Sequence, residues 1–304
     1  MADLRDNHYV DAAWDRAAAA REDPDWVNAK LSDPGSRFYP IWRLKNFISA
    51  ETRPRPIGLE LRAVASLLEQ RVPMLLGVDG DTAHFAIDLS DIDDVENGLL
   101  ADGRLVDLRD AAMDMAHRDA ALLALARGLA HWHATHAFCG VCGEATRAER
   151  AGHVRRCRDK TCGKLHFPRT DPAVIMLVTD GDRCLLARRR IWPKPRRSTV
   201  AGFVEPGESL ENAVRREVLE ETGIEVGEVR YHSSQPWPFP SSLMVGFTAT
   251  ALTTDIKVDG EEIAEADWYH RDQIGPAVEA GDLILPPADS ISRRLVLDWL
   301  ADPQ

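Results

Sequence analysis

Residues 173–178 form an unbroken apolar run of strand length, Gly181-Asp182 reads as a hairpin turn, and residues 184–187 supply the partner strand. An extended segment over 198–204 leads into a charged helix over 210–222, which Gly223 ends. Further strands are predicted at 225–231, 244–251 and 266–269, then two short helices near Asp272 and Ser290. A helix set between strands in this mixed order predicts an α/β sandwich. Upstream the texture differs. Strand-like runs fall at 72–78 and 84–89, and a helical stretch covers 109–133, with Leu122, Leu123, Leu125 and Leu129 at helix-like spacing. No motif of specific chemistry stands in that region, so it reads as a structural, dimerising domain. Residues 138–167 hold four cysteines and little apolar matter, and need a staple to fold. The predicted division is therefore 1–137, an α+β amino-terminal domain; 138–167, a metal-stapled piece; and 168–304, a catalytic α/β domain. No internal repeat is visible.

Composition narrows the function. With 304 residues, 44% of them apolar, the chain has room for two cores. A net charge of −12 does not favour long-range attraction to polyanions or anionic membranes, although residues 153–156 and 188–190 are local basic candidates. Met1 to Asp6 lack the apolar stretch of a secretory signal, and the run at 173–178 is too short to span a bilayer. A cytoplasmic location without a membrane partner is expected, where thiols stay reduced.

Cys139-x2-Cys142 and Cys157-x4-Cys162 are separated by fourteen residues. Gly140, Gly143 and Gly163 suit knuckle-like turns that aim the sulfurs at one point. Four thiolates suit tetrahedral zinc and leave no open position for water, so one structural Zn²⁺ per chain is expected. The plain alternative is four incidental reduced thiols. Cys184, inside a predicted strand, reads as a small buried hydrophobe. His131, His133, His136 and His166 flank the cysteines but are surplus to four sulfurs, and are read as structural.

The helix beginning near Leu210 carries the chemistry. Glu217, Glu220 and Glu221 stand at i, i+3 and i+4, so three carboxylates share a helix side, near its negative end, where they repel one another. A divalent cation is the reason such a cluster would be kept, and oxygen-only ligands suit Mg²⁺ or Mn²⁺. Gly202 and Pro206-Gly207 form a tight loop bringing Glu205 and Glu208 towards the helix, and Arg216 can lock loop to helix. A bare Arg-Glu-x-x-Glu-Glu would read as a solvated face. Here the whole pattern Gly-x5-Glu-x7-Arg-Glu-aliphatic-x-Glu-Glu-x-Gly-aliphatic, from Gly202 to Ile224, is present, and it resembles the Nudix box. The resemblance implies a Nudix α/β/α sandwich with a mixed sheet. It also implies two or three catalytic cations held by Glu217 and Glu221, helped by Glu220 and the Ala201 carbonyl. Gly202, Glu208, Arg216 and Gly223 would be structural. Glu220 or Glu221 would serve as base, and the two roles are not separable in sequence.

Beyond the box stands Ser234-Gln235-Pro236-Trp237-Pro238-Phe239-Pro240-Ser241-Ser242. Alternate prolines make a stiff extended segment that cannot be a helix or a central strand. Two readings are balanced: a surface offering Trp237 and Phe239 to planar rings, or a loop whose aromatics cap the core. The stretch is similar to the SQPWPFPxS signature of zinc-ribbon NADH pyrophosphatases. That family is implied over roughly residues 100–300. It implies cleavage of NADH or NAD⁺ to nicotinamide mononucleotide and AMP, removal of NAD caps from RNA, and a homodimer with the proline-rich segment at its interface. By the same resemblance Gln235, Pro236, Trp237, Pro238, Phe239, Pro240, Ser241 and Ser242 would line the substrate site. Phe203 and Phe167 would face the adenine, Glu262 would be a further metal ligand, and Ser292 and Arg109 would contact substrate. Ser292 departs from the family's usual alanine, and x4 in the second cysteine pair departs from x2. A Nudix enzyme for ADP-ribose or a dinucleoside polyphosphate, or a non-enzymatic zinc-ribbon binding protein, are the alternatives.

Overall fold

The structure, a computed structural model, describes residues 7–10, 14–95 and 103–302. Met1 to Asp6, on which the expectation of no secretory signal rests, lie outside the described residues. Two compact units are present: Met1–Thr170 with Trp237–Ser241, and Asp171–Pro236 with Ser242–Gln304.

In the first unit α1 (Pro24–Leu31) precedes β1 (Arg37–Trp42), β2 (Lys45–Ile48), β3 (Leu59–Glu60), α2 (Leu61–Leu68), β4 (Met74–Asp79), β5 (Thr82–Asp88) and β6 (Arg104–Val106). The sheet order is β4-β5-β1-β2-β6, with β3 beside β1 and the β1–β5 pair parallel. Phe38, Phe47 and Phe85 fill one face. Tyr39, Ile41 and Ala86 pack on the other against Leu122, Ala126 and Leu129. The helix predicted over 109–133 is in fact two, α3 (Leu108–Ala111) and α4 (His117–Thr135). Asp107 accepts the Arg109 N–H to cap the first, and Met115 is extended before the second starts. β1 escapes sequence reading because Pro40 sits in its middle. The strand tolerates it because β3 pairs with Arg37 and Phe38 and β2 with Ile41 and Trp42, leaving Pro40 outside both pairings. A small sheet of β7 (Thr146–Glu149), β8 (Val154–Cys157) and β9 (Leu165–His166) carries Cys157, with Cys139 and Cys142 before β7 and Cys162 between β8 and β9.

The second unit contains β10 (Asp171–Asp180), β11 (Arg183–Arg189), β12 (Val200–Phe203), α5 (Leu210–Thr222), β13 (Val226–Trp237), β14 (Ser242–Ala251), β15 (Ile263–His270), α6 (Arg271–Ala280) and α7 (Ile291–Ala301). Its order, β13-β14-β10-β11-β15 with β12 beside β10 and β10–β14 parallel, repeats that of the first sheet strand for strand. The chain therefore does contain a repeat, one of topology. Alternate residues of β10 enter two layers: Val174, Met176 and Val178 face α5, and Ile175 and Leu177 face α6 and α7. This is the expected α/β/α sandwich on a mixed sheet. The helix equivalent to α5 in the first unit is α2, whose sequence LRAVASLL holds no carboxylate to offer a cation.

Candidate active site

Ser209 caps α5 by accepting the Asn212 N–H, and Gly223 closes it with φ 71°, a left-handed turn. The buried face of α5 is Ala213, Val214, Val218, Glu221 and Thr222. Glu221 thus lies on the apolar stripe, 6% exposed, and its Oε2 is buried without a partner. Burial, then Glu217, push its carboxyl up to about 8. Glu217, mostly buried, is likewise raised, chiefly by burial. Its carboxylate lies flat against β12, where a Cβ on Gly202 would stand 1.9 Å from the Glu217 Cδ. That position must be glycine for the carboxylate to be where it is.

Arg216 braces the cluster. Its Nε and Nη2 hold Glu208 at 2.6 and 2.9 Å, Nη2 also reaches the Phe203 carbonyl at 2.9 Å, and Nη1 contacts Glu217 at 2.7 Å and Glu220 at 3.0 Å. The fork holds the Glu208 carboxyl down to about 2 and ties loop to helix, as the sequence suggested. Gly207, at φ 96°, makes the intervening turn. One expectation changes here: Glu220 does not join the buried pair. It lies 100° around the helix from Glu221, is mostly exposed, and is taken up by Arg216. Glu262, on the turn entering β15, pairs with Arg189 at 3.0 Å, and its charge reaches Glu217 and Glu221. Ala201 adjoins Gly202 on β12, opposite Ile175. A buried carboxylate with an orphan oxygen, beside others and short of positive charge, fits a divalent cation.

The substrate-side residues fare unevenly. Gln235 is fully buried: its Nε2 donates to the Asp289 carbonyl at 2.6 Å and its Oε1 accepts the Ile291 N–H at 2.9 Å, so it caps α7 instead of lining a site. Ser292 is also buried, its hydroxyl shared with Ser198 and Thr199 at 2.8 Å each. Both are corrected to structural roles, since every polar atom they could offer a ligand is engaged. Pro236 sits near the end of the β13 edge strand, where its missing N–H is harmless, and Ser242 opens β14 opposite Asp171. The proline-rich stretch is extended through Trp237, as expected, and turns over 238–241. Within the first unit, Trp237 and Phe239 meet edge-to-face at 5.2 Å, and Tyr9 packs on both. Arg109 lies 4.3 Å over the Phe239 ring, and the buried Arg127 donates to the Pro238 carbonyl at 2.9 Å. Pro240 is exposed and Ser241 is at the turn's end. The core-capping reading of these aromatics is the one seen. Phe203 and Phe167, at 60% and 58% exposure, do present ring faces.

The four cysteine sulfurs all lie within 4.8 Å of one another, as a metal-binding group requires. Gly143 and Gly163, at φ 78° and 53°, make the knuckle turns. Backbone N–H groups of Cys142 and Val141 lower Cys139 to about 6, while burial raises Cys157 to about 12. His166 Nε2 stands 3.3 Å from the Cys139 Sγ, so it supports a ligand and adds none. His133 bonds the Gly152 carbonyl at 2.8 Å, and Cys184 is fully buried, both structural as expected.

Comparison with known proteins agrees with this geometry. The NUDIX domain family matches residues 169–291, an NADH pyrophosphatase-like rudimentary NUDIX domain matches 35–132, and the NADH pyrophosphatase zinc ribbon domain matches 134–167. The rudimentary match accounts for the repeated sheet topology. The NAD-capped RNA hydrolase NUDT12 of Macaca fascicularis is 34% identical over 97% of this chain and 73% of its own length. NudC of Mycobacterium bovis, also an NAD-capped RNA hydrolase, is 44% identical over 64% of this chain and 65% of its own. The human mitochondrial NAD(P)H pyrophosphatase NUDT13 is 39% identical over 65% of this chain and 60% of its own. The second unit thus has the fold and the box of a Nudix hydrolase. With the ribbon and the rudimentary domain before it, the chain belongs to the zinc-ribbon NADH pyrophosphatase family.

Proposed function

We propose that this chain hydrolyses the diphosphate linkage of NADH and NAD⁺ to nicotinamide mononucleotide and AMP, and removes NAD caps from RNA 5′ ends. The observation that carries the reading is the Glu217–Glu221 pair, buried without adequate positive charge on a complete box. Support for the substrate comes from the relatives, whose names specify NAD-capped RNA or NAD(P)H. Glu217, Glu221, Glu262 and the Ala201 carbonyl would hold two or three Mg²⁺ or Mn²⁺ ions. When bound, these supply charge neutralisation of the diphosphate and acidification of a water. Arg216 and Glu208 keep Glu217 in register for that task. We assign acceptance of the water proton to Glu221, because Glu220 is tied to Arg216 at the surface. Phe203 is the ring face for adenine on the second unit. Within the first unit Trp237 and Phe239 pack on each other and on Tyr9, a scaffold and not a stacking plate. The proposal includes a homodimer and a cytoplasmic location. One Zn²⁺ in the ribbon is structural.

The test is kcat/KM on NADH, NAD⁺, NAD-capped RNA, ADP-ribose and a dinucleoside polyphosphate. Expected is a preference of about tenfold or more for NADH or NAD-capped RNA. A like preference for ADP-ribose or the polyphosphate refutes the substrate assignment.

A further inference from the structure

Between Arg188 and Arg189 the β11–β15 register slips: Arg188 faces Glu265 but Arg189 faces Ile263, leaving Ala264 as an extra residue. Such a bulge re-aims a side chain, and Arg189 turns to Glu262, meeting its Oε2 at 3.0 Å. Glu262 is fixed at both backbone ends, its N–H given to Asp259 at 2.9 Å and its carbonyl accepting the Arg190 N–H at 3.0 Å. Arg216 is engaged by Glu208, Glu217 and Glu220 on the other side of the cluster, and Arg189 is the guanidinium that meets Glu262. We propose that Arg189 is a built-in counter-cation of the metal site: its guanidinium holds Glu262 when no divalent ion is bound and must release it for one to enter. It is a positioning residue, and it competes with metal for a ligand while repelling it. The pair is partly exposed, so its strength alone is modest; its consequence is for metal affinity, because binding has to break it.

This inference rests on the proposed metal role of Glu262. The experiment is Mn²⁺ binding to the full zinc-containing chain without substrate, read from the free Mn²⁺ signal by electron paramagnetic resonance. Arg189→Gln is expected to bind Mn²⁺ about three- to tenfold more tightly than wild type. Arg189→Lys, which keeps the charge, should stay within about twofold. In a double-mutant cycle the gain should vanish on a Glu262→Gln background. Unchanged or weaker binding in Arg189→Gln, or a gain that survives Glu262→Gln, overturns the proposal. NADH turnover is assayed on the same preparations. A wild-type chain that shows the binding cycle yet leaves NADH intact refutes the proposed substrate and leaves the role of Arg189 standing.

Discussion

Replacing Glu221 by glutamine leaves the shape of α5 unchanged and removes a buried carboxyl that has an orphan oxygen. Folding carries this group from an ordinary value of 4.5 to about 8. The folded state therefore binds its proton more tightly than the unfolded state does. The associated stability is present in full below pH 4.5 and is lost as pH rises through 8. At about 1.4 kcal/mol per unit the ceiling is about 5 kcal/mol, and relaxation around the side chain reduces the observable part to about 2–3 kcal/mol. The assay is urea unfolding of wild type and Glu221→Gln at pH 5.5 and 8.5, after dialysis that removes Mg²⁺ and Mn²⁺ without stripping zinc. Wild type is expected to lose about 2–3 kcal/mol relative to the variant over that interval, and to recover it when Mn²⁺ is added. Taking the difference cancels titrations elsewhere. Parallel pH profiles for the two proteins would refute the claim that Glu221 is a buried, uncompensated carboxylate.

Gly202→Ala puts a Cβ into the Glu217 carboxylate, so kcat should fall on the order of a hundredfold while the fold survives, as far-ultraviolet circular dichroism would verify. Purified chain should contain one zinc, and Cys157→Ser should lose it together with several degrees of melting temperature; elemental analysis and calorimetry check both. Burial lowers His84, His133 and His153 to about 4. Their stability is held above pH 6.5 and lost as pH falls towards 4, so each His→Gln variant should flatten the acid limb of the denaturation profile. Trp237→Ala, which strips a ring from Tyr9 and Phe239, should lower the melting temperature and depress NADH and ADP-ribose turnover by similar factors; a loss confined to NADH would restore the stacking role.

The catalytic unit was legible because its signals are local. The apolar run at β10, the turn at Gly181 and the glycine after α5 each depend on neighbours in sequence, and helix α5 falls where it was expected. The cysteine spacing likewise carries its own geometry. What escaped depends on distant partners. That Gln235 caps α7 depends on Asp289 and Ile291, more than fifty positions away. The first sheet was missed where Pro40 interrupts β1, a residue excluded from central strands unless the neighbours on one side leave it unpaired, as β2 and β3 do here. Its equivalence to the second sheet is a property of strand order, which hydrophobic periodicity does not report. The aromatic turn was left between two readings because alternating prolines encode stiffness but not what the rings touch.

The central claim is that the α5 carboxylates, charged with divalent metal, split a dinucleotide at its diphosphate. The most direct measurement is chromatographic quantification of products from NADH with Mn²⁺, using wild type, Glu217→Gln and Glu221→Gln. The expected result is reduced nicotinamide mononucleotide and AMP in equal amounts from wild type, with turnover lower by about a hundredfold or more in either variant. Nicotinamide release, unequal products, or near wild-type turnover in both variants would contradict it.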